Sequence, residues 1–252
     1  MRPLTLLSAL LVGAVLSAGC STKPPARIAA YLGPAVEGLQ TTQADLRAFL
    51  GAPQQVGLLL INDASLADSA PALSDGSLAY LSDAVRHRIE EKTPIRIAKV
   101  LPSSGVTLGS AQQAITSLGR EQGVPYILVV IFSSMESEIP LMLPFTGDPE
   151  QGGGRPGTPG FEAINYALAE LALLETSSGK VVARSDGRAW SRLNRLYVPV
   201  MSNAYPVIHR SLRVAPIYPK EENAKDVLRS VAGDEALEQA VHQLAMVWAK
   251  PA

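Results

Sequence analysis

Tyr126-Ile-Leu-Val-Val-Ile-Phe132 is an unbroken apolar run of strand length, and Val56-Gly-Leu-Leu-Leu-Ile61 is a similar run earlier in the chain. A strand that is apolar at every position, rather than at alternate ones, is typical of a sheet covered on both faces. Residues 95–100 add a third strand. Together these runs predict an α/β domain with a mixed sheet in two or three layers.

The segments around these strands have helical patterns. Thr42 can cap a short helix that stops at Gly51. Apolar residues then recur at helical spacing in two segments, first from Ser77 to Pro94 and then from Ser110 to Gly123. The order from the first apolar run onward is therefore β-α-β-α-β.

The second half of the chain predicts a hairpin and a terminal helix. The long apolar run 161–175, the turn Thr176-Ser-Ser-Gly179 and the strand 180–190 form an antiparallel pair. Residues 224–248 carry an apolar stripe at helical spacing, which predicts one amphipathic helix or two that are split at Gly233.

Residues 144–160 are rich in proline and glycine around Gly152-Gly153-Gly154. This composition cannot pack a core and predicts an exposed, mobile loop. A glycine run can cradle a phosphate, but no lysine or Ser/Thr of the P-loop type follows, so the sequence predicts no nucleotide cofactor here.

Cys20 is the only cysteine among 252 residues, and it closes the run Leu16-Ser-Ala-Gly-Cys20. Before it lie a basic start at Arg2 and the apolar stretch 4–16, which are the parts of a secretory signal. About 13 apolar residues are too few for a transmembrane helix, which needs roughly 20. An alternative is an ordinary cleaved signal with Cys20 as a free thiol.

The run that ends at Cys20 resembles the lipobox of bacterial lipoproteins. That resemblance implies removal of the signal peptide 1–19, and fatty acyl chains such as palmitate on Cys20. Two or more chains hold a protein firmly on a bilayer. Ser21, rather than aspartate, implies transport to the periplasmic side of the outer membrane. We expect residues 20–52 to hold the lipidated terminus, a tether over 22–27 and the short helix, and residues 53–252 to form the α/β domain.

The composition excludes several classes of protein. Removal of residues 1–19 takes away one arginine and no acid, which leaves 21 basic and 23 acidic residues and a net charge of −2. No run of five like charges marks a nucleic-acid or polybasic membrane site. No cysteine remains for a disulfide, and a chain of this size does not need one.

Two stretches accompany this order of elements: Gly123-Val-Pro-Tyr-Ile-Leu-Val129 leads into the third apolar strand, and Glu175-Thr-Ser-Ser-Gly-Lys-Val181 forms the later turn. With them, the order of elements resembles that of a group of periplasmic α/β domains. The group comprises the curli secretion lipoprotein CsgG, the penicillin-binding-protein activator LpoB and the N-terminal domain of TolB. The resemblance covers residues 53–190 and the final helix, and it implies an accessory role in the cell envelope.

Catalytic or metal-binding residues are not evident in the sequence. The chain has three histidines, His87, His209 and His242. The helical zinc motif needs two histidines four residues apart, and no two of these have that spacing. No Gly-x-Ser-x-Gly motif marks a serine nucleophile. Glu136 and Glu138 follow the third apolar run, where α/β sheets often bind ligands, but solvated glutamates are the simpler interpretation. We therefore expect no catalytic residue, metal or cofactor.

The segment 192–218 combines tyrosine, arginine and proline. Tyrosine and arginine are frequent anchors of protein interfaces. The alternative is that the tyrosines pack on the flank of the domain. The candidate residues for contact with a protein partner or an anionic glycan are Arg192, Arg195, Tyr197, Tyr205, Arg210 and Arg213.

These features predict an outer-membrane lipoprotein that faces the periplasm and works by binding, without catalysis. Its expected role is in envelope assembly, in secretion or in regulation of an envelope enzyme through a protein partner. Two alternatives remain open: an envelope hydrolase with an unrecognised site, and a structural subunit that forms a homo-oligomeric ring through its sheet edges.

Overall fold

A computed structural model describes residues 23–39, 41–50, 53–104, 106, 108–143, 157–197, 205–211 and 215–249. The predicted signal peptide 1–19, the predicted lipidation site Cys20 and the candidate Arg213 lie outside these residues.

The described residues contain six strands and five α-helices, with short 3₁₀ turns at Pro34–Val36 and Glu221–Asn223. In chain order they are α1 Ile28–Leu32, α2 Gln43–Leu50, β1 Gln54–Asp63, α3 Asp75–Lys92, β2 Ile95–Leu101, α4 Ala111–Glu121, β3 Tyr126–Leu143, β4 Thr158–Glu175, β5 Val181–Leu196, β6 Val207–Arg210 and α5 Ala224–Ala249.

The strands form one mixed sheet in the order β2-β1-β3-β4-β5-β6. β1 pairs in parallel with β2 and β3, and the remaining pairs are antiparallel. Leu58, Leu59 and Leu128 are fully buried because helices cover both sides of the sheet at this point. The predicted α/β class, with a mixed sheet, a hairpin and a C-terminal helix, is confirmed.

One side of the sheet, the α3/α5 face, packs against α3 and α5. Ser74 caps α3 by accepting a hydrogen bond from the amide of Ser77 at 3.2 Å. α5 lies so close to β5 at Gly187 that a Cβ there would be 2.1 Å from the carbonyl oxygen of Ala236. The helix backbone can approach the strand this closely only over glycine.

The opposite side of the sheet, the α1/α4 face, packs against α1 and α4. Ile28 and Leu32 of α1 and Ile115 of α4 are buried there, in one cluster with Ile127 and Val129 of β3. The domain therefore has three layers at this end of the sheet.

Two strands are longer than the sequence predicted. β3 was expected to end at Phe132 but continues to Leu143, and β5 continues to Leu196 instead of ending at Trp190. β1 stops opposite Ser133, and after an isolated bridge between Ser69 and Met135 the rest of β3 pairs only with β4 among the described residues. This part of β3 is an edge strand, and an edge strand tolerates Pro140 and polar side chains. In the sequence pattern the same residues indicate a loop.

The longer strands also correct the predicted loop 144–160. Residues 158–160 belong to β4 and pair with residues 141–143 of β3, while residues 144–156 lie outside the described part of the chain. The terminal helix α5 runs through Gly233 without a break, so the interpretation of one helix, rather than two, is confirmed.

Candidate functional site

The segment just before and within α1 lies on the α1/α4 face and is fixed there by a buried carboxylate. Glu170 of β4 is 3 % exposed, and its side chain accepts hydrogen bonds from the backbone amides of Arg27 (2.6 Å) and Ile28 (3.2 Å). The first amides of a helix have no partner within the helix. Burial raises the pKa of Glu170, and the two amide hydrogen bonds oppose this rise only in part.

The Arg27 side chain forms a second attachment at the end of β1. Its Nε donates to Oδ2 of Asp63 at 2.7 Å, and its Nη2 donates to the Ser65 hydroxyl at 2.9 Å. The Asp63 side chain is 1 % exposed and that of Arg27 is 15 % exposed. Burial alone would raise the pKa of Asp63, but hydrogen bonds from Arg27 and Ser65 outweigh it and the pKa is lowered.

Pro24 is also buried, and its carbonyl oxygen accepts a hydrogen bond from Nη1 of Arg188 at 3.0 Å. The prediction of a free tether over residues 22–27 is therefore wrong from Pro24 onward. The physical reason is that Arg27 and the amides of α1 meet buried acids from β1 and β4, which the sequence places 36 and 143 residues away.

A groove opens beside this segment, which we call the N-terminal groove. Its volume is about 860 Å³. A smaller hollow of about 200 Å³ adjoins it, and there Lys23 and Pro24 lie beside Tyr166 and Trp190. The groove combines apolar walls with charges of both signs. An occupant with both apolar and polar groups would therefore match it better than a single small anion or cation. Its lining residues are Lys23, Pro24, Pro25, Leu66–Ser69, Met135–Ser137 and Arg188.

Glu136 and Glu138 are ion-pair partners of α5 in this structure. The Glu136 carboxylate is 2.9 Å from Nε of Arg229, and Glu138 is 2.7 Å from Nζ of Lys225. Both glutamates lie within β3, because the strand continues past the position where the sequence ended it. Their charges hold α5 on the sheet, which gives them a structural role.

The described ranges show no group of three His, Cys, Asp or Glu side chains placed to hold a metal ion. His87 is exposed on α3, with Glu91 at 3.8 Å, and His242 is exposed on α5. No helix within the described residues is both long and apolar enough to cross a membrane.

The candidate interface residues do not share one side of the sheet. Arg192 follows Trp190 on the α1/α4 face, where its guanidinium lies 5.5 Å from the Trp190 ring and 3.4 Å from the Glu162 carboxylate. Arg195 lies on the α3/α5 face, where it pairs with Glu221 and lies 6.0 Å from the Phe161 ring. A surface that includes Arg192 therefore cannot be the surface that includes Arg195.

The remaining candidates differ in exposure. Tyr197 is 54 % exposed, and its ring lies 5.6 Å from that of Phe161. Tyr205 is half-buried, and burial raises its pKa. Arg210 is half-buried at the end of β6, opposite Ser191. The prediction for Arg213 falls outside the described residues.

No protein-family model matches the chain, and no curated protein matches it. Among solved structures, the chain is similar to the PelC dodecamer from Paraburkholderia phytofirmans, with 11 % identity and a TM-score of 0.28 over 75 % of this chain and 89 % of that chain. It is also similar to the C-terminal domain of LpoB from Salmonella enterica, with 11 % identity and a TM-score of 0.28 over 59 % of this chain and 94 % of that chain. Likeness at this level carries no argument about function.

Arg27, Asp63 and Glu170 were not among the residues predicted from the sequence. Glu170 had a local signal, because it is the lone charged residue within 163–174 of β4. A charged residue at such a place must have a partner, since an unpaired buried charge is costly. No local pattern identifies that partner as the backbone at Arg27.

Proposed function

We propose that this chain is a lipoprotein of the outer membrane, anchored through acyl chains on Cys20, whose domain works in the periplasm as a non-catalytic binding protein. The observation that carries the proposal is the run Leu16-Ser-Ala-Gly-Cys20 with its lone cysteine. The described chain is docked on the domain from Pro24 onward, so the proposed anchor would lie close to the domain.

Substitution of the cysteine tests the anchor. Cys20→Ser should remove the protein from the membrane fraction, and metabolic labelling with a palmitate analogue should be lost with it. Ser21→Ala is a matched control, because it changes a neighbouring side chain without removing the acyl acceptor. Retention of Cys20→Ser in membranes after a high-salt wash would contradict the anchor.

We further propose that the partner-binding surface lies on the α3/α5 side at the far end of β3, β4 and β5. Tyr197 and Met142 are 54 % and 56 % exposed there, and Arg195 lies over the Phe161 ring. A contact surface of exposed aromatic, methionine and arginine side chains is typical of protein interfaces. The expected partner is another envelope protein.

Site-specific photo-crosslinking in the native envelope tests this surface. A crosslinker at Tyr197 should give a discrete adduct with a second protein. The same crosslinker at Val100, which is 52 % exposed on the opposite edge strand β2, should give none. An adduct with a second copy of this chain would favour the ring-forming alternative instead. Equal labelling at both positions would contradict the proposed surface.

A further inference from the structure

Within the described residues, helices cover the α1/α4 face at only one end. α1 and α4 pack beside residues up to Ile131 on β3, and the strands continue well beyond this point. On the continued part, Met135, Tyr166 and Trp190 stand opposite one another in one cross-strand row. Residues paired in this way share a face of the sheet.

Two further apolar residues extend this row toward the end of β3. Ile164 lies two positions from Tyr166 on β4, and Ile139 lies opposite Glu162 and is 53 % exposed. None of the five belongs to a buried cluster of the described residues. We call this set the outer sheet face: Met135, Ile139, Ile164, Tyr166 and Trp190.

The chain leaves the domain next to the outer sheet face. Lys23 and Pro24 line the same hollow as Tyr166 and Trp190. Cys20 is three residues before Lys23, and a fully extended chain spans at most about 3.6 Å per residue, or about 11 Å in all. The Cα of Cys20 therefore lies within about 11 Å of the Cα of Lys23, and acyl chains on the Cys20 thiol would enter the bilayer close to this hollow.

From this geometry we propose that the outer sheet face rests on the lipid surface of the membrane to which Cys20 is anchored. The inference builds on the proposed lipidation, because it is the short connection to the acyl chains that brings this face to the bilayer. A partner protein bound to the same face would have to fit between this domain and the membrane in which the acyl chains of Cys20 lie.

The chemistry of the face fits a bilayer interface. Tryptophan and tyrosine concentrate at the level of lipid headgroups, where the ring is apolar and its N–H or O–H is hydrated. Met135 and the two isoleucines add apolar area. Around them stand the cations Lys23, Arg188 and Arg192, which suit phosphate headgroups.

Acids are also present around the face, and Asp186, two positions before Arg188 on β5, is exposed on the same side. Glu162 lies 3.4 Å from Arg192, and Glu136 is paired with Arg229 on the other side of the sheet. Asp68 also lines the N-terminal groove. Charges of both signs therefore surround the outer sheet face, and it is the aromatic and apolar side chains of the face itself that fit a bilayer interface.

The two tryptophans of the chain allow a direct test. Trp190 belongs to the outer sheet face, whereas Trp248 lies on the α3/α5 side with its ring 6.0 Å from that of Phe49. The full-length lipidated protein is reconstituted into vesicles of phosphatidylethanolamine and phosphatidylglycerol, a fraction of which carry a nitroxide near the headgroup. Trp248→Phe leaves Trp190 as the reporter, and Trp190→Phe leaves Trp248.

We expect the nitroxide lipids to lower Trp190 fluorescence roughly two-fold, as for an indole at headgroup depth, and to leave Trp248 nearly unchanged. If Trp248→Phe disturbs folding, the quenching of Trp190 is obtained instead as the difference in quenching between the unmodified chain and Trp190→Phe. Co-flotation with the vesicles is measured on the same samples. Failure to float contradicts the anchor itself.

Flotation with equal quenching of both tryptophans, or with none, overturns the outer sheet face as the membrane contact while the anchor stands. Protection of Trp190 from the nitroxide by a periplasmic protein also overturns it, because the face would then belong to a protein partner.

Discussion

Replacement of Arg27 by alanine should destabilise the domain strongly, because it leaves a buried charge without its partner. Asp63 is 1 % exposed and would lose the 2.7 Å hydrogen bond from the guanidinium. A hydrogen bond to a charged group contributes about 1.5–3 kcal/mol, and breaking a buried pair costs about 3–5 kcal/mol. The Ser65 amide still donates to Asp63 at 3.0 Å, so we expect a loss of about 2–4 kcal/mol.

Urea unfolding and thermal melting of the unacylated chain, made with Cys20→Ser and without residues 1–19, measure this loss. At this chain length each kcal/mol lowers the melting temperature by roughly 2–4 °C, so the expected decrease is about 5–15 °C. Arg192→Ala is the matched control. Its pair with Glu162 is longer, at 3.4 Å, and its side chain is 43 % exposed. It should cost no more than about 1 kcal/mol.

A second substitution at Asp63 separates the buried charge from other effects. Asp63→Asn in the Arg27→Ala background removes the unpaired charge and should restore at least half of the lost stability. If Arg27→Ala costs no more than Arg192→Ala, the segment before α1 is not held on the domain as described, and the reasoning fails.

The pH dependence gives an independent check with a defined sign. The folded-state pKa of Asp63 is lowered, so its stabilisation is present above its ordinary value of about 3.9 and is lost as the pH falls through the folded pKa. Without Arg27, only the hydrogen bonds from Ser65 oppose the effect of burial, so the folded-state pKa of Asp63 rises relative to that in the unmodified chain. The destabilisation by Arg27→Ala should therefore be largest at neutral pH and shrink as the pH falls toward about 4.

Gly187→Ala should lower the free energy of unfolding in urea by about 1–3 kcal/mol, because the new Cβ would lie 2.1 Å from the carbonyl oxygen of Ala236. Gly38→Ala is the control. No atom lies within 4 Å of its new Cβ, so it should change the free energy of unfolding by less than about 0.5 kcal/mol. Equal effects of the two would contradict the close seating of α5. Glu170→Gln keeps an oxygen that accepts the amide hydrogen bonds and should be more stable than Glu170→Ala by at least about 1 kcal/mol. Because the folded pKa of Glu170 is raised, the unmodified chain should also gain stability relative to Glu170→Gln as the pH falls through that pKa; a gain in the opposite direction would refute the direction of the shift.

The centre of the fold could be predicted because its signals are local. An apolar run such as 126–132 needs cover on both faces wherever it occurs, and helical spacing from Ser77 to Pro94 identifies α3 from its own residues. The outer parts of β3 and β5 could not be predicted in this way. Their polar side chains, such as Glu136, are satisfied by α5, whose Arg229 lies 93 residues away along the chain.

The residues of the candidate site also divide into those with a local signal in the sequence and those that depend on distant contacts. Cys20 is predicted as the lipidation site from its neighbours in sequence and stays a prediction, whereas Tyr197, predicted as an interface residue, is 54 % exposed. The two sides of the sheet could not be assigned for Arg192 and Arg195, since β5 was expected to end before both of them. The docking of Pro24 and Arg27 depends on which buried acid reaches which donor, and that information exists only in the folded chain.

The docked segment before α1 also fixes the order in which the protein matures. On the proposed lipidation, the enzymes that acylate Cys20 and cut before it must hold the chain on both sides of the cysteine. Once Pro24 is buried and Arg27 is clamped to Asp63, the residues in between are too few to reach into an enzyme active site. On that proposal, acylation and cleavage would precede the docking of Pro24 and Arg27 on the domain.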